Sequence, residues 1–342
     1  MKKTEDRNER QGDSEQHNAF PMDRREFLRR AGKASALIGA SGAVFGGLYE
    51  PSKSWARLEK DVRKKAPAFR PAWQKHTEAD LVVAKGAARD VLADGIDAAG
   101  GIGSFVEKGS VVVIKPNAAW ERKPELAANT SPDVISVLVK MCKGAGAKKV
   151  IVTDNACHEA KRAFDVSGIG AAAVDAGAEV YIPQKSSYVE MDLGGKMLGV
   201  WPVLKPVVQA DVLINVPIVK HHTLAKLTAC MKNLYGVVGG RRNRLHQDID
   251  RGIAELGHAF RPVLNVVDAT RVMVKNGPTG GSEDDIEKPG RILISKDAVA
   301  ADAYACRYIH VRPEDVGYLS VAAQMGVGRH RLDSVKIVEV GA

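Results

Sequence analysis

Residues 211–236 read DVLINVPIVKHHTLAKLTACMKNLYG: an apolar run ends at Pro217, and Lys220, His221, His222, Lys226, Lys232 and Asn233 follow in quick succession. Ammonium groups bind carboxylate or phosphate oxygens, and an imidazole titrates near neutral pH. The combination suits a small anion on which a proton is moved. His222 takes the acid–base role in this reading, Lys220 and Lys232 hold the anion, and Asn233 adds a donor. His221 reads as a hydrogen-bonded structural histidine. Lys226 and Cys230, like Thr228 and Lys232, stand at i, i+4. A helix here would therefore pack Leu224, Leu227, Met231 and Leu234 on one face and leave the cations on others.

Further candidates lie elsewhere along the chain. Lys115 and Asn117 flank Pro116, whose fixed φ makes a rigid bend that could aim both side chains at a ligand, although a lysine ending a strand also snorkels to water. The stretch NTSPD at 129–133 reads as a helix start with Ser131 at the N-cap and Pro132 in the first turn. Thr130 and the free amides there join the anion-binding set. GVVGGRRNRLHQD at 236–248 combines loop glycines with Arg242 and His246. It reads either as an oxyanion clamp or as a solvated basic loop. Asp154 and Asp268 are the carboxylates expected to orient His222. With Asp297 and Asp302 they could also meet a metal, but no H-x-H or H-E-x-x-H pair anchors one, and no metal site is assigned. Asp297 reads equally as a helix N-cap. NGPTGG at 276–281 is a turn that could cover a site.

These groups need elements to place them. From residue 80 onward, short β-branched runs alternate with helical patterns. The runs are 81–85, 111–115, 149–154, 178–183, 211–217, 263–269, 291–295 and 336–340, and helices are predicted over 132–147 and 297–310. Continuous apolar strands are covered on both faces, so the predicted class is α/β: a largely parallel sheet in Rossmann-like layers with helices on both faces. Ligands of such sheets bind beyond the carboxyl ends of the strands, where Lys115, Asp154, the 220–222 cluster and Asp268 are expected.

The first 56 residues form a separate region. Arg24 and Arg25, then Phe27 and Leu28, precede a mildly apolar run over 34–49 that is too short to span a bilayer. This reads as a twin-arginine export signal recognised by the translocation machinery. The expected location is the bacterial periplasm, with membrane anchoring if the signal is retained. Residues 57–79 read as a linker or wrapping segment, and 80–342 as the α/β domain. The net charge of +9 contains no long basic run, zinc-finger spacing or RNA-binding signature, which argues against a nucleic-acid partner. Cys142, Cys157, Cys230 and Cys306 form no C-x-x-C pair. Cys142 and Cys306 fall in helical apolar patterns, whereas Cys157 and Cys230 lie nearer the suspected site.

VVVIKPN, TSPDVI, VIVTDN, LINVPIVKHHTLAKLTACMKNLYG, VVDAT with NGPTGG, and SKDAVAADAYA occur in the order found in the domain of unknown function 362 family, which this sequence resembles from about Leu81 to its end. Lys220, His222, Lys232, Asn233 and Gly236 match its Lys-x-His and Lys-Asn-x-x-Gly pattern. Lys115, Pro116 and Asn117 match its Lys-Pro-Asn, and Asp297, Ala300 and Asp302 its Asp-x-x-Ala-x-Asp. The resemblance implies no particular reaction. Many relatives carry a ferredoxin-like cluster-binding segment, implying redox or anaerobic metabolism and a redox partner. This sequence has no such cysteine-rich run, and no cofactor is specified. The leading expectation is an exported enzyme acting on a small anionic ligand. The alternatives are a non-catalytic cofactor-binding or iron–sulfur accessory protein, and a metal-dependent enzyme.

Overall fold

The computed structural model describes residues 79–341. The expected export signal at Arg24, Arg25, Phe27 and Leu28, and residues 57–78 of the wrapping segment, lie outside the described residues.

The apolar runs form strands as expected: β1 (Leu81–Lys85), β2 (Val111–Pro116), β3 (Lys149–Thr153) and β4 (Glu179–Tyr181) open the domain. A hairpin of β5 (Tyr188–Asp192) and β6 (Val200–Leu204) follows, unanticipated by the sequence reading, and stands as its own two-stranded sheet. Then come β7 (Val212–Val216), β8 (Ile218–His222), β9 (Lys226–Thr228), β10 (Leu264–Met273), β11 (Ile286–Glu287), β12 (Arg291–Ser295) and β13 (Ile337–Val340). The main path of the large sheet runs β13-β1-β12-β10-β7-β2-β3-β4. Along that path only β12 runs against its neighbours.

Helices cover the sheet in two groups. The first group is α1 (Ala88–Ala98), α2 (Pro132–Gly144), α3 (Ala160–Val166) and α4 (Ile169–Asp175), packed in the spatial order α1-α2-α4-α3. After the short α5 (Lys205–Gln209), the second group is α6 (Cys230–Asn233), α7 (Ile249–Phe260), α8 (Ala298–Ala305) and α9 (Gly317–Gln324). Both groups reach β12, consistent with one on each face. That cover is why β7 is buried at every residue and could be written as an unbroken apolar run.

Two expectations change. Residues 220–222 are not a loop beyond a strand: after Pro217 the chain resumes as β8, which leaves β7 behind and pairs with β10 and β9. Nor is 226–233 one amphipathic helix, because Lys226–Thr228 pairs as β9 and only Cys230–Asn233 turns helical. The cross-strand register Lys220↔Thr228 and His222↔Lys226 replaces the i, i+4 spacing read from the sequence. Residues two apart on a strand share a face and cross-strand partners stand side by side, so Lys220, His222 and Thr228 point the same way.

Candidate functional site

The sheet order places β2 between β3 and β7: the chain winds outward from β2 to β3 and β4, then returns to the opposite side of β2. Such a reversal opens a crevice at the carboxyl ends of the flanking strands. A cavity of about 480 Å³ lies there. Its wall includes Lys115, Asn117, Trp120, Asp154, Cys157, Lys220, His222, Thr228, Lys232, Asn233, Arg242 and His246. Nine of the eleven expected site residues therefore meet at one place; Thr130 and Asp268 do not line it.

Not all of the lining groups are available to a ligand. Lys115 Nζ meets Asp154 Oδ1 at 2.7 Å, Pro116 O at 2.7 Å and Asn233 Oδ1 at 3.0 Å, so three acceptors surround its three N–H groups. Asp154 Oδ2 accepts from the Ala118 amide at 2.8 Å. Both partners are almost wholly buried, and the pair neutralises itself. Gly236 is needed beside it, because a Cβ there would lie 1.7 Å from Asp154 Oδ1 and 2.6 Å from Lys115 Nζ. Asn233 is likewise spent. Its amide is one rung of a rail of donated hydrogen bonds. Asn117 Nδ2 donates to Asn233 Oδ1 (3.0 Å), and Asn233 Nδ2 to Asn215 Oδ1 (2.9 Å). Asn215 Nδ2 then donates to Asn265 Oδ1 (2.9 Å), and Asn265 Nδ2 to Ser295 O (3.2 Å). Lys115 and Asn233, expected to hold the anion, instead build the floor beneath it.

The free donors belong to the next layer. Lys220 is 1% exposed, and its Nζ donates to Ala128 O and to Asn117 Oδ1 (3.3 Å), which leaves one position of the ammonium without a partner among the described residues; the Trp120 ring centre is 5.9 Å away. No carboxylate pairs with it among the described residues. Burial, joined by the Lys232 and Lys115 charges, lowers its pKa to about 7, against the opposing influence of Cys157 and Asp154. Lys232 Nζ sits 3.6 Å over the Tyr235 ring and has no oxygen partner among the described residues. Burial and the charges of Arg242 and Lys115 bring it to about 8, with Cys157 opposing.

His222 is oriented differently from expectation. Its Nδ1 accepts from the amides of Leu224 and Ala225, each at 3.2 Å, so the proton resides on Nε2. Burial and the nearby Lys232 and Lys220 charges push its pKa down to about 3. It is therefore a neutral donor through Nε2–H, not an acid–base pair with Asp154 or Asp268. Asp154 is engaged by Lys115. Asp268 lies within β10 and accepts from the Ser131 amide (2.7 Å) and from the amide and hydroxyl of Thr270, so it anchors the start of α2. The Ser131 hydroxyl does not cap that helix. Thr130 is an internal strut, accepting from the Asn117 amide and donating to Val216 O.

Arg242 reaches the cavity but spends its guanidinium on Asn155 O, Ala156 O and Tyr235 O, fastening the basic loop over the end of β3. His246 is exposed at the rim, tilted against Tyr235. His221 has the structural role expected of it, accepting from the Gly277 amide (3.2 Å), while the Thr223 hydroxyl donates to Gly277 O (2.9 Å). These bonds tie the NGPTGG turn to β8 and bring Pro278 to the cavity wall. Asp297 caps α8, as one sequence reading had it. Asp302 caps α6 through the Cys230 and Met231 amides and so sets the segment that carries Lys232. Among the described residues no three His, Cys, Asp or Glu side chains gather as a metal cage. Cys142 and Cys306 are packed apolar groups, burial pushing both thiols up to about 12, while Cys157 is exposed on the cavity wall. Trp120, Thr228 and Tyr235 had not been anticipated. Trp120 follows Asn117 by three residues and could have been sought in the same loop, whereas Thr228 required the β8–β9 register.

The sequence pattern of the family described as Domain of unknown function (DUF362) matches residues 112–307, more than half of the chain and every strand end that lines the cavity. The chain belongs to the DUF362 family. Thylakoid-associated protein sll1697 of Synechocystis sp. is 24% identical to this DUF362 chain over 243 residues, 67% of the chain and 72% of the relative. Among solved structures, the lactate racemase apoprotein of Thermoanaerobacterium thermosaccharolyticum matches at TM-score 0.39 and 13% identity, over 72% of this chain and 58% of that one. A Thermotoga maritima protein matches at TM-score 0.33 and 9% identity, over 65% of this chain and 56% of that one. The chain thus spans less than two thirds of the length of either solved structure.

Proposed function

We propose that this DUF362 domain is an enzyme that binds a small carboxylate or phosphate in the cavity beyond β2, β3 and β7, and moves a proton on it through Lys220. One observation carries the reading: among the described residues, the third position of Lys220, the Lys232 ammonium and the His222 Nε2–H are without a partner at a single cavity whose one carboxylate, Asp154, is already paired with Lys115. Lys232 supplies the charge that recruits the anion, and His222 fixes an oxygen without titrating. Lys220, near neutrality in its proton affinity, gives or takes the proton. This assigns acid–base work to a lysine rather than to the histidine favoured by sequence. Thermal-shift titration with inorganic phosphate and a panel of small carboxylates tests it. At least one should raise Tm in the native protein, and Lys232→Met should abolish the shift. If no anion shifts the native protein, the assignment fails.

We also propose that Arg24 and Arg25 route the chain through twin-arginine export. The support is the residue pattern Arg24, Arg25, Phe27, Leu28 followed by a weakly apolar run. A fractionation assay should find the native chain outside the cytoplasm and the Arg24→Lys, Arg25→Lys double variant inside. Equal distribution of the two refutes it.

A further inference from the structure

We infer that Lys220 is a covalent nucleophile that forms an imine with the carbonyl carbon of an anionic carbonyl compound, a 2-oxo acid in its simplest form. The inference rests on the anion-binding reading above, names the substrate class of that site, and puts covalent attack by Lys220 in place of its proton transfer.

The geometry of the lysine is its first support. A neutral amine has two N–H groups and one lone pair. Ala128 O and Asn117 Oδ1 take the two N–H groups of Lys220, so the remaining tetrahedral position, toward the cavity, is where the lone pair lies. A lysine meant only to hold an anion gains from a carboxylate neighbour that keeps it charged. Lys220 has none paired with it among the described residues: Asp154 acts on it only from its ion pair with Lys115, and burial with the Lys232 and Lys115 charges outweighs Cys157 and Asp154. A second cation beside a desolvated lysine is the arrangement that releases its lone pair at neutral pH.

The second support is an orphaned hydroxyl. Thr228 Oγ1 is buried, 3% exposed at the residue, and has no hydrogen-bond partner among the described residues, yet it lines the cavity and is the cross-strand partner of Lys220. A buried hydroxyl without a partner is unfavourable unless a ligand completes it. Beside a lysine that attacks a carbonyl, it meets the oxygen that the attack creates. His222, two residues along the same strand face, offers Nε2–H to that side of the cavity.

The step balances within these groups. The Lys220 lone pair adds to the carbonyl carbon, forming a C–N bond while the carbonyl π pair moves to oxygen. A nitrogen proton passes to that oxygen, giving a carbinolamine whose hydroxyl is held by Thr228 and His222. Loss of the hydroxyl with a second proton as water leaves the imine, with no oxidant or reductant consumed. Lys232 holds the substrate carboxylate, and once the imine nitrogen takes a proton from water it draws electrons from the neighbouring carbon, acidifying its C–H bond.

Reductive trapping decides it. The full chain is incubated at neutral pH with pyruvate or phenylpyruvate and sodium borohydride, then peptide-mapped by mass spectrometry. The expected result is one stoichiometric carboxyalkyl adduct on the peptide carrying Lys220. It should be absent in Lys220→Arg, and at least tenfold slower to form in Thr228→Val with Tm unchanged. No adduct, or adducts spread over surface lysines equally in native and Lys220→Arg proteins, overturns the inference. If the same carboxylates raise Tm without trapping, the imine fails and the anion site stands. If they neither bind nor trap, both readings fall.

Discussion

Replacing Lys220 by methionine removes a charge while keeping most of the buried stem, and the structure sets the size of the effect. Folding moves this ammonium from the ordinary value of 10.5 to about 7. At about 1.36 kcal/mol per tenfold change in proton affinity, keeping it charged in the folded protein costs about 5 kcal/mol at pH 6. The sign follows from proton counting. Between pH 7 and 10.5 the unfolded chain binds more protons at this position than the folded one, so stability rises with pH across that window. By pH 9 the penalty has fallen to about 2 kcal/mol, a gain of about 3 kcal/mol over pH 6. The substitution leaves Ala128 O and Asn117 Oδ1 without their donor, at about 1–3 kcal/mol, but that loss does not depend on pH. The difference in slope is therefore the measurement. Urea denaturation of the ligand-free native protein at pH 6 and pH 9 should show a pH gain that the Lys220→Met protein lacks by about 3 kcal/mol. Parallel pH dependences would mean that Lys220 does not lose its proton in this range, and both the proton-transfer and imine readings would lose their basis.

Two further outcomes follow from the floor and the wall of the cavity. Asp154→Asn strands the buried Lys115 charge and should destabilise the fold by about 3–5 kcal/mol, with Lys115→Met in the same chain recovering much of it; additive losses in the double variant, read by chemical denaturation, would contradict the pairing. The His222 ring should stay neutral with its proton on Nε2 from pH 8 down to about 4, and long-range nitrogen–proton NMR correlations that reported a midpoint near 6.5 would reverse its assignment as a fixed donor.

The sheet was readable because a strand buried on both faces must be apolar throughout, and the runs at 111–115, 149–154 and 211–217 announced their positions almost to the residue. Pro217 concealed β8. A proline after an apolar run reads as an ending, yet here the chain steps across and takes up β10 as its partner. The same long β10 hid the place of Asp268, which looked like a strand terminus and is interior. At the site, residue types named the chemistry and the neighbourhood correctly, but not the division of labour. Lys115, Lys220 and Lys232 are the same residue in sequence. Only coordinates distinguish a lysine with three acceptors from one with two and one with none. The tautomer of His222 depends on two backbone amides in the turn after it, which no spacing rule encodes.

The file of asparagines under the cavity has a direction. Every carboxamide from Asn117 to Asn265 donates the same way, toward Ser295 O on β12, so their dipoles add and the oxygen of the first one faces Lys220. None of these side chains can turn over alone, because each reversal would set two donors or two oxygens against one another. Asn265 holds the accepting end of the file: an aspartate installed there would still accept from Asn215 Nδ2 but would set an oxygen against Ser295 O, so the file would keep its direction and lose only its last rung.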